Sequence, residues 1–465
     1  MLPRCFPSRS LLPTLTAFAV SSAFFGFAAT TCAQSPAPSL KPNVLIILAD
    51  DLGRADYSAF GTKDIHTPNV DRLFRQGMGF QNFHANSCVC SPTRAALLTG
   101  CFPDRVGVPG VIREEDPDDS WGYLSPGATL LPKALKPAGY DTAIIGKWHL
   151  GISAPNLPNL RGFDYFYGFL GDMMDDYQTH RRHGLNLMRR NDEIIDPPGH
   201  ATDVFTTAAC EYLEGRAAKA EPFFLYLAFN APHDPIQPRA DWLARVRERD
   251  PALPEKRAKL VALIEHLDEG IGKVLDVLDR TGLAKNTLVV FNSDNGGVLA
   301  NGANNGPWRS EKCHMYDGGL RVPFAARWPG HIAAGSSSAY TALTMDLFPT
   351  VLEAAGVKPP EGIDGVSFLP ELRGETQPEP NRNLYFVRRE GGMLYGGKTI
   401  EALQTGSWKL LQDSPFAPRE LYNLQDDPLE TLNLAATEKK TFMSMNAALR
   451  RQVQRSGSVP WQAPK

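Results

Sequence analysis

The chain has 465 residues with 48 basic and 51 acidic side chains, which gives a formal net charge of −3. That length can hold two or three domains, although α/β enzymes often place most of it in one. Because no block of basic residues occurs, the sequence argues against a nucleic-acid partner.

The N-terminal segment has the pattern of an export signal. Two arginines precede an apolar run from Leu11 to Ala29, and small residues end the segment. We therefore predict a signal peptide over residues 1–33, cleaved after Ala33, an exported mature protein that is periplasmic or secreted, and no stable insertion into a membrane. The alternative is a lipoprotein anchored at Cys32, but the residues before that cysteine lack the usual leucine.

Residues 34–373 alternate between apolar, β-rich runs and amphipathic helical patterns. This alternation predicts an α/β fold with a mostly parallel central sheet flanked by helices. Polar side chains follow three of the predicted strands, namely 43–49 before Asp50 and Asp51, 141–145 before Lys147 and His149, and 286–291 before Asp294 and Asn295. Since ligands bind at the carboxyl ends of the strands in open α/β sheets, we place a site there.

The composition changes in the C-terminal part of the chain. Proline, acidic and polar residues are frequent over 374–382, which predicts a linker between a catalytic domain over 34–373 and a small domain over 383–465. Short strand-like pieces and then a helix from about Thr437 follow. We expect this small C-terminal domain to be α+β and to contain an antiparallel sheet.

Oxygen donors gather at two of the predicted strand ends: Asp50, Asp51, Asp294 and Asn295. Three carboxylates and an amide suit a hard divalent cation, Ca²⁺ before Mg²⁺, and the set lacks the soft ligands that zinc or copper would favour. Each motif also has a simpler explanation, because Asp-Asp can cap a helix and Asp-Asn-Gly can form a turn.

A short motif carries the most specific signal in the chain. Cys90-Ser91-Pro92-Thr93-Arg94 is followed, after four residues, by Thr99-Gly100. This pattern resembles the signature of the type I sulfatases of the alkaline phosphatase superfamily. The resemblance implies an alkaline-phosphatase-like fold and conversion of Cys90 to Cα-formylglycine by a formylglycine-generating or anaerobic maturation enzyme. A buried cysteine at the start of an ordinary helix is the simpler alternative.

Two further segments resemble the same family. Gly146-Lys147-Trp148-His149-Leu150-Gly151 matches a second sulfatase segment, and Lys312 precedes Tyr316-Asp317-Gly318-Gly319 at the family's spacing. With them, the resemblance implies two sets of site residues: Cys90, Arg94, Lys147, His149, His233 and Lys312 for catalysis, and Asp50, Asp51, Cys90, Asp294 and Asn295 for the metal.

The resemblance also implies a mechanism. A hydroxyl of the formylglycine hydrate attacks sulfur and forms a sulfated covalent intermediate. Lys147 binds the sulfate group, and Arg94 forms a hydrogen bond with the hydrate. His149 removes a proton so that sulfate leaves, while His233 or Lys312 protonates the departing alcohol.

The chain departs from the family after Gly162-Phe163-Asp164, where many relatives carry Pro-Tyr-Ser. Here the sequence from Gly168 to Asp176 lacks that serine, so one expected sulfate contact is missing, and a loop rich in hydrogen-bond donors follows. We predict substrate contacts from five residues of this region, with a solvated loop as the alternative: Asp172, His180, Arg181, Arg182 and His183.

Together these patterns predict an enzyme that hydrolyses sulfate esters, with sulfated carbohydrates as substrates. Two alternatives stay open: a phosphomonoester or phosphonate hydrolase of the same superfamily, and a carbohydrate-binding homologue without activity.

Outside the predicted signal and Cys90, four cysteines remain: Cys88, Cys101, Cys210 and Cys313. A disulfide between Cys88 and Cys101 across the motif helix is conceivable, but the spacing does not fix the pairing.

Overall fold

The structure is a computed structural model that describes Ala17 and residues 41–113, 120–378, 380–391 and 396–462. The predicted signal peptide, including Cys32, lies outside these described residues except for Ala17. Among the described residues, no helix is both long and apolar enough to cross a membrane.

Sixteen strands are described. In chain order they are β1 (Asn43–Ala49), β2 (Met78–His84), β3 (Asp141–Lys147), β4 (Tyr165–Phe169), β5 (Arg181–Arg182), β6 (Leu185–Asn186), β7 (Met188–Arg190), β8 (Glu193–Ile194), β9 (Phe223–Ala228), β10 (Thr287–Ser293), β11 (Phe324–Arg327), β12 (Ser336–Leu343), β13 (Leu384–Arg389), β14 (Thr399–Thr405), β15 (Trp408–Gln412) and β16 (Glu420–Asn423).

The described α-helices vary widely in length. In chain order they are α1 (Pro68–Gln76), α2 (Cys90–Thr99), α3 (Leu131–Leu135), α4 (Ala201–Arg216), α5 (Ala240–Arg249), α6 (Glu255–Arg280), α7 (Asp317–Leu320), α8 (Leu347–Ala354), α9 (Leu369–Leu372) and α10 (Lys439–Arg455).

Ten of the strands form one large sheet in the order β12-β2-β11-β10-β1-β9-β3-β4-β7-β8. The five central strands, from β10 to β4, run parallel to one another. Every side chain of β1 from Val44 to Ala49 is completely buried, as expected for a strand covered on both faces. The structure confirms the predicted fold class, a mostly parallel sheet flanked by helices.

A second, antiparallel sheet has the order β13-β14-β15-β16, and α10 packs against β14 and β15. This confirms the small antiparallel sheet that we expected near the C-terminus. Its apolar core includes Leu410 and Leu449 and extends to Cys88 and Ala96 of the segment around α2. The described residues from 41 onward pack as one compact unit, and the borders of the proposed catalytic domain, linker and C-terminal domain stay predictions.

Candidate active site

The ends of β1 and β10 bring two acidic segments together. The two strands are parallel neighbours, with Ala49 opposite Ser293, so the residues that follow them emerge side by side. The amide of Asp51 donates a hydrogen bond to Asp294 Oδ1 at 3.2 Å, and Asp51 has a left-handed backbone with φ of 65°. The chain therefore turns sharply at the strand end and directs its carboxylates to one point.

The donor atoms at this point fit a hard divalent cation. Carboxylate oxygens of Asp50, Asp51 and Asp294 lie within 4.8 Å of one another, and all three residues are buried. Asp50 Oδ1 and Asn295 Oδ1 are also buried, and neither has a hydrogen-bond partner among the described residues. Because buried oxygens are rarely left unpaired, these two atoms are the positions at which an ion would complete the site.

Three cations pair with the three carboxylates. Lys147 Nζ lies 2.5 Å from Asp50 Oδ2, Arg94 Nη2 lies 2.7 Å from Asp294 Oδ2, and Lys312 Nζ lies 2.7 Å from Asp51 Oδ2. The protein's own charges therefore balance within this cluster before any ion binds.

The three carboxyl groups differ in the direction of their pKa shifts. Burial alone would raise the pKa of Asp50, but nearby positive charge, chiefly that of Lys147, outweighs burial, and this pKa lies below the usual range. The pKa of Asp51 is lowered in the same way, chiefly by Lys312. Burial and the nearby charge of Asp50 instead raise the pKa of Asp294. A divalent cation would favour the ionised form of this carboxyl.

Cys90 is the first residue of α2, and its side chain is buried beside these charges. The helix ends at Thr99 and is capped by Gly100, whose left-handed φ of 68° lets its amide donate to Ala96 O at 2.9 Å. Burial raises the pKa of the Cys90 thiol to about 11, although Lys147 and Lys312 oppose the shift. Because only a thiolate is a strong sulfur nucleophile, the encoded cysteine would be unreactive near neutral pH.

His149 follows β3 and faces the same cluster. Its Nε2 lies 3.1 Å from the carbonyl oxygen of Ile112, which can only accept, so this nitrogen carries the proton. Its Nδ1 is buried without a hydrogen-bond partner among the described residues. Burial, together with Lys147 and Arg94, lowers the pKa of His149 well below its usual value. The ring is therefore neutral, with an unprotonated Nδ1.

His233 and Lys312 form a pair on another side of the cluster. His233 Nδ1 lies 2.7 Å from the carbonyl oxygen of Asp234 and donates to it, which leaves Nε2 as an acceptor 3.0 Å from Lys312 Nζ. Burial alone would lower the pKa of Lys312, but Asp51 outweighs burial, and this pKa lies above its usual range. The lysine therefore holds a proton next to the histidine.

The residues predicted as substrate contacts are mostly engaged with their own neighbours. Arg182 Nε lies 2.8 Å from Asp172 Oδ1, and Arg181 Nη2 lies 2.8 Å from Asp196 Oδ2. His180 is buried, with Nε2 2.9 Å from the carbonyl oxygen of Gly199, and His183 is exposed. Among the described residues, the hydrogen bonds and ion pairs of these predicted contacts do not reach the carboxylate cluster. Their substrate role stays a prediction.

Sequence reasoning missed several residues that support the site. Ser91 Oγ accepts a hydrogen bond from the amide of Ile112, whose carbonyl holds His149, and Tyr177 contacts the backbone of His233. Ser91 lies inside the Cys90–Arg94 motif, but nothing in the sequence pairs it with Ile112, and Tyr177 lies 53 and 56 residues from its partners. A tyrosine within a polar loop was the available signal at Tyr177.

The described cysteines are free thiols: Cys88, Cys90, Cys101, Cys210 and Cys313. The disulfide considered between Cys88 and Cys101 is therefore absent from this structure. Cys88 precedes α2 and Cys101 follows it, so the helix length separates the two residues. Cys101 Sγ instead contacts the carbonyl oxygen of Thr99 at 3.6 Å.

Comparison with known families agrees with this geometry. The model of the Sulfatase family matches residues 42–357, and the model described as N-sulphoglucosamine sulphohydrolase, C-terminal, matches residues 307–457. The chain belongs to the sulfatase family. The predicted resemblance is thus confirmed, and with it the prediction of a sulfuric ester hydrolase.

Individual relatives extend over most of the chain. N-acetylgalactosamine-6-sulfatase of Mus musculus is 34% identical over 399 residues, which cover 81% of this chain and 72% of that protein. A sulfatase of Formosa agariphila is 30% identical over 484 residues, which cover 88% of this chain and 87% of that protein. The crystal structure of Ps i-CgsB in complex with k-i-k-neocarrahexaose has a TM-score of 0.82 at 30% identity, covering 91% of this chain and 95% of that one.

Proposed function

We propose that this sulfatase-family protein hydrolyses sulfate esters of carbohydrates through Cys90 in its Cα-formylglycine form. The observation that carries the proposal is the position of Cys90, whose buried Sγ lies within 4.8 Å of a carboxylate oxygen of Asp50 and a ring nitrogen of His233, in a cluster of three carboxylates that each pair with a cation. A formylglycine at this position would supply a geminal diol, with one hydroxyl to attack sulfur and a second through which sulfate is released. The maturation enzyme that would oxidise Cys90 is the partner this proposal requires.

Ca²⁺ is the proposed metal, with Mg²⁺ second. Its ligands would be residue 90 and the four oxygen donors Asp50, Asp51, Asp294 and Asn295. A divalent cation bound there would polarise the sulfate oxygens and lower the pKa of a coordinated hydroxyl.

The protein's own cations would bind the sulfate group. Arg94 and Lys147 are completely buried, and the side chain of Lys312 is 13% exposed. Burial strengthens the attraction of these cations for an anion. Since their charges already balance the carboxylates, a divalent cation makes the cluster positive and suited to a sulfate ester. The amides at the start of α2 would add to this attraction for the anion. These groups would stabilise the charge that develops on the transferred sulfate.

The histidines would divide the proton transfers. His149 is neutral with Nδ1 free, and we assign it the removal of the proton that releases sulfate. Lys312 and His233 share a contact of 3.0 Å, and we assign this pair the protonation of the departing alcohol oxygen. Each such proton transfer typically contributes about 10²- to 10⁴-fold to the rate.

The carbohydrate substrate is supported by the relatives. One related protein is named for N-acetylgalactosamine 6-sulfate, and a related structure contains a bound neocarrahexaose. The region from Asp172 to His183, rich in hydrogen-bond donors, stays our candidate for contacts with the sugar. Export to the periplasm or medium belongs to the same proposal.

The test is turnover of sulfated mono- and disaccharides by purified, matured protein, with mass spectrometry of the peptide containing residue 90. We expect alcohol and sulfate release, an aldehyde at residue 90, and no turnover by Cys90→Ala. Chelation should abolish activity, and Ca²⁺ should restore it better than Zn²⁺. Full activity with only a thiol at residue 90 would contradict the proposal. Faster cleavage of matched phosphate esters would indicate the phosphoester hydrolase, and saccharide binding without turnover would indicate the inactive homologue.

A further inference from the structure

Tyr177 links the predicted substrate loop to the segment that carries His233. Its side chain is 1% exposed. Its hydroxyl lies 2.8 Å from the carbonyl oxygen of Asn230 and 2.9 Å from that of His233. Both oxygens can only accept, so the hydroxyl shares its proton between them. The Tyr177 hydroxyl therefore binds the first and the last residue of the turn 230–233.

The same turn and the residue before it are also hydrogen-bonded to the end of β1. The amide of Asp50 donates to the carbonyl oxygen of Ala231 at 3.1 Å, and the amide of Phe229 donates to that of Leu48 at 2.9 Å. The amide of His233 also donates to Asn230 O at 2.9 Å within the turn. The backbone of the turn that carries His233 is thus held both by the end of β1 and by the Tyr177 hydroxyl.

The Tyr177 ring is held by contacts that do not involve its hydroxyl. Its amide donates to Gln237 Oε1 at 2.9 Å, and its carbonyl accepts from the amide of Ala201 at 2.9 Å. The ring stacks on His200, with centroids 4.9 Å apart. His200 Nε2 in turn donates to the carbonyl oxygen of Gln237 at 3.0 Å. Removing only the hydroxyl should leave the ring in place.

We propose that Tyr177 is a positioning residue that acts through His233, and this rests on the proposed function. Its hydroxyl fixes the backbone of His233 and so the contact of 3.0 Å between His233 Nε2 and Lys312 Nζ. A proton reaches the leaving alcohol only if this pair is correctly placed, and displacements of about 1 Å can cost 10²-fold in rate. Tyr177 thereby affects cleavage of esters whose alcohol needs a proton to depart.

The test is Tyr177→Phe, measured as kcat/KM for sulfate esters that range from acidic phenols to sugar alcohols. This parameter reports the steps up to release of the alcohol. We expect a fall of about 10- to 100-fold for sugar alcohols and values near the wild type for acidic phenols. The matched control is Tyr140→Phe, because Tyr140 is also buried and donates to a backbone carbonyl, that of Pro42, at 2.6 Å. This control should leave every ester unaffected.

A double-mutant cycle separates positioning from a general structural effect. In a His233→Ala background, Tyr177→Phe should cause no further loss with sugar alcohols. Equal losses for all esters, or a full additional loss in the His233→Ala background, would overturn the inference while wild-type turnover still supports the proposed function. Absence of sulfate ester cleavage by matured wild-type protein would overturn the proposed function and this inference with it.

Discussion

Replacing Arg94 with methionine should destabilise the ion-free protein and sensitise it to calcium. The completely buried guanidinium donates to Asp294 Oδ2 through Nε at 3.0 Å and Nη2 at 2.7 Å, and it lies 3.5 Å from Asp50. Breaking a buried ion pair by removing one partner costs about 3–5 kcal/mol, because the remaining charge is uncompensated. We expect this loss in the free energy of unfolding, measured by urea denaturation at pH 7 with a chelator.

Calcium should then restore more stability to Arg94→Met than to the wild type. An ion that binds only the folded state, present at about 100 times its Kd, adds about 2.7 kcal/mol. Without the positive charge of Arg94, the same carboxylates bind the cation more tightly, so the gain at a fixed concentration is larger. Repeating the urea denaturation at a series of calcium concentrations measures how much calcium raises the free energy of unfolding of the wild type and of Arg94→Met.

Lys409→Met provides the control for this experiment. Lys409 is also completely buried, and its Nζ lies 2.6 Å from Asp317 and 2.7 Å from Glu430. Its loss should cost a similar 3–5 kcal/mol, but calcium should stabilise this variant only as much as the wild type. Equal calcium gains in the two variants, or no loss of stability in Arg94→Met, would refute the assignment of Arg94 as the charge that balances the metal ligands.

Two further predictions concern pH and backbone geometry. Burial lowers the pKa of His84 to about 3 from the usual 6.5, so the unfolded chain binds more protons between these pH values and the folded state loses stability as pH falls. At pH 5 this residue should lower the free energy of unfolding by about 2 kcal/mol. In His84→Gln the free energy of unfolding, measured by urea denaturation, should therefore fall less between pH 7 and pH 5 than in the wild type. Equal falls in the two proteins would contradict this prediction. Gly146→Ala should lose both stability and activity, because a Cβ there would lie 1.9 Å from Ala228 O, at φ of 106°. The control is Gly139→Ala, at φ of 82° with no neighbouring atom within 4 Å of the added Cβ. It should lose only about 1–2 kcal/mol of the free energy of unfolding and keep its activity. Equal losses in the two variants would argue against a clash at Gly146.

The convergence of the acidic segments could be predicted because parallel strands end at one edge of a sheet. Asp50 and Asp294 follow β1 and β10, and the register of those strands alone brings them together. The polar loop could not be interpreted in the same way. Arg181 and Arg182 are satisfied by acids of their own region, Asp196 and Asp172, and composition does not show whether such charges face each other or a ligand. The role of Tyr177 could not be predicted, because its hydrogen-bond partners lie 53 and 56 residues away in the sequence.

The central position of β1 has a consequence for synthesis of the chain. This strand is made first, but Asn43 contacts Phe223 at a separation of 180 residues and Thr287 at a separation of 244. At roughly 5–20 residues per second, translation needs about 10–50 s between β1 and its second neighbour. The large sheet cannot close during this interval. Because Cys90 is 4% exposed after closure, the oxidation proposed for it would have to take place on a chain whose large sheet has not yet closed.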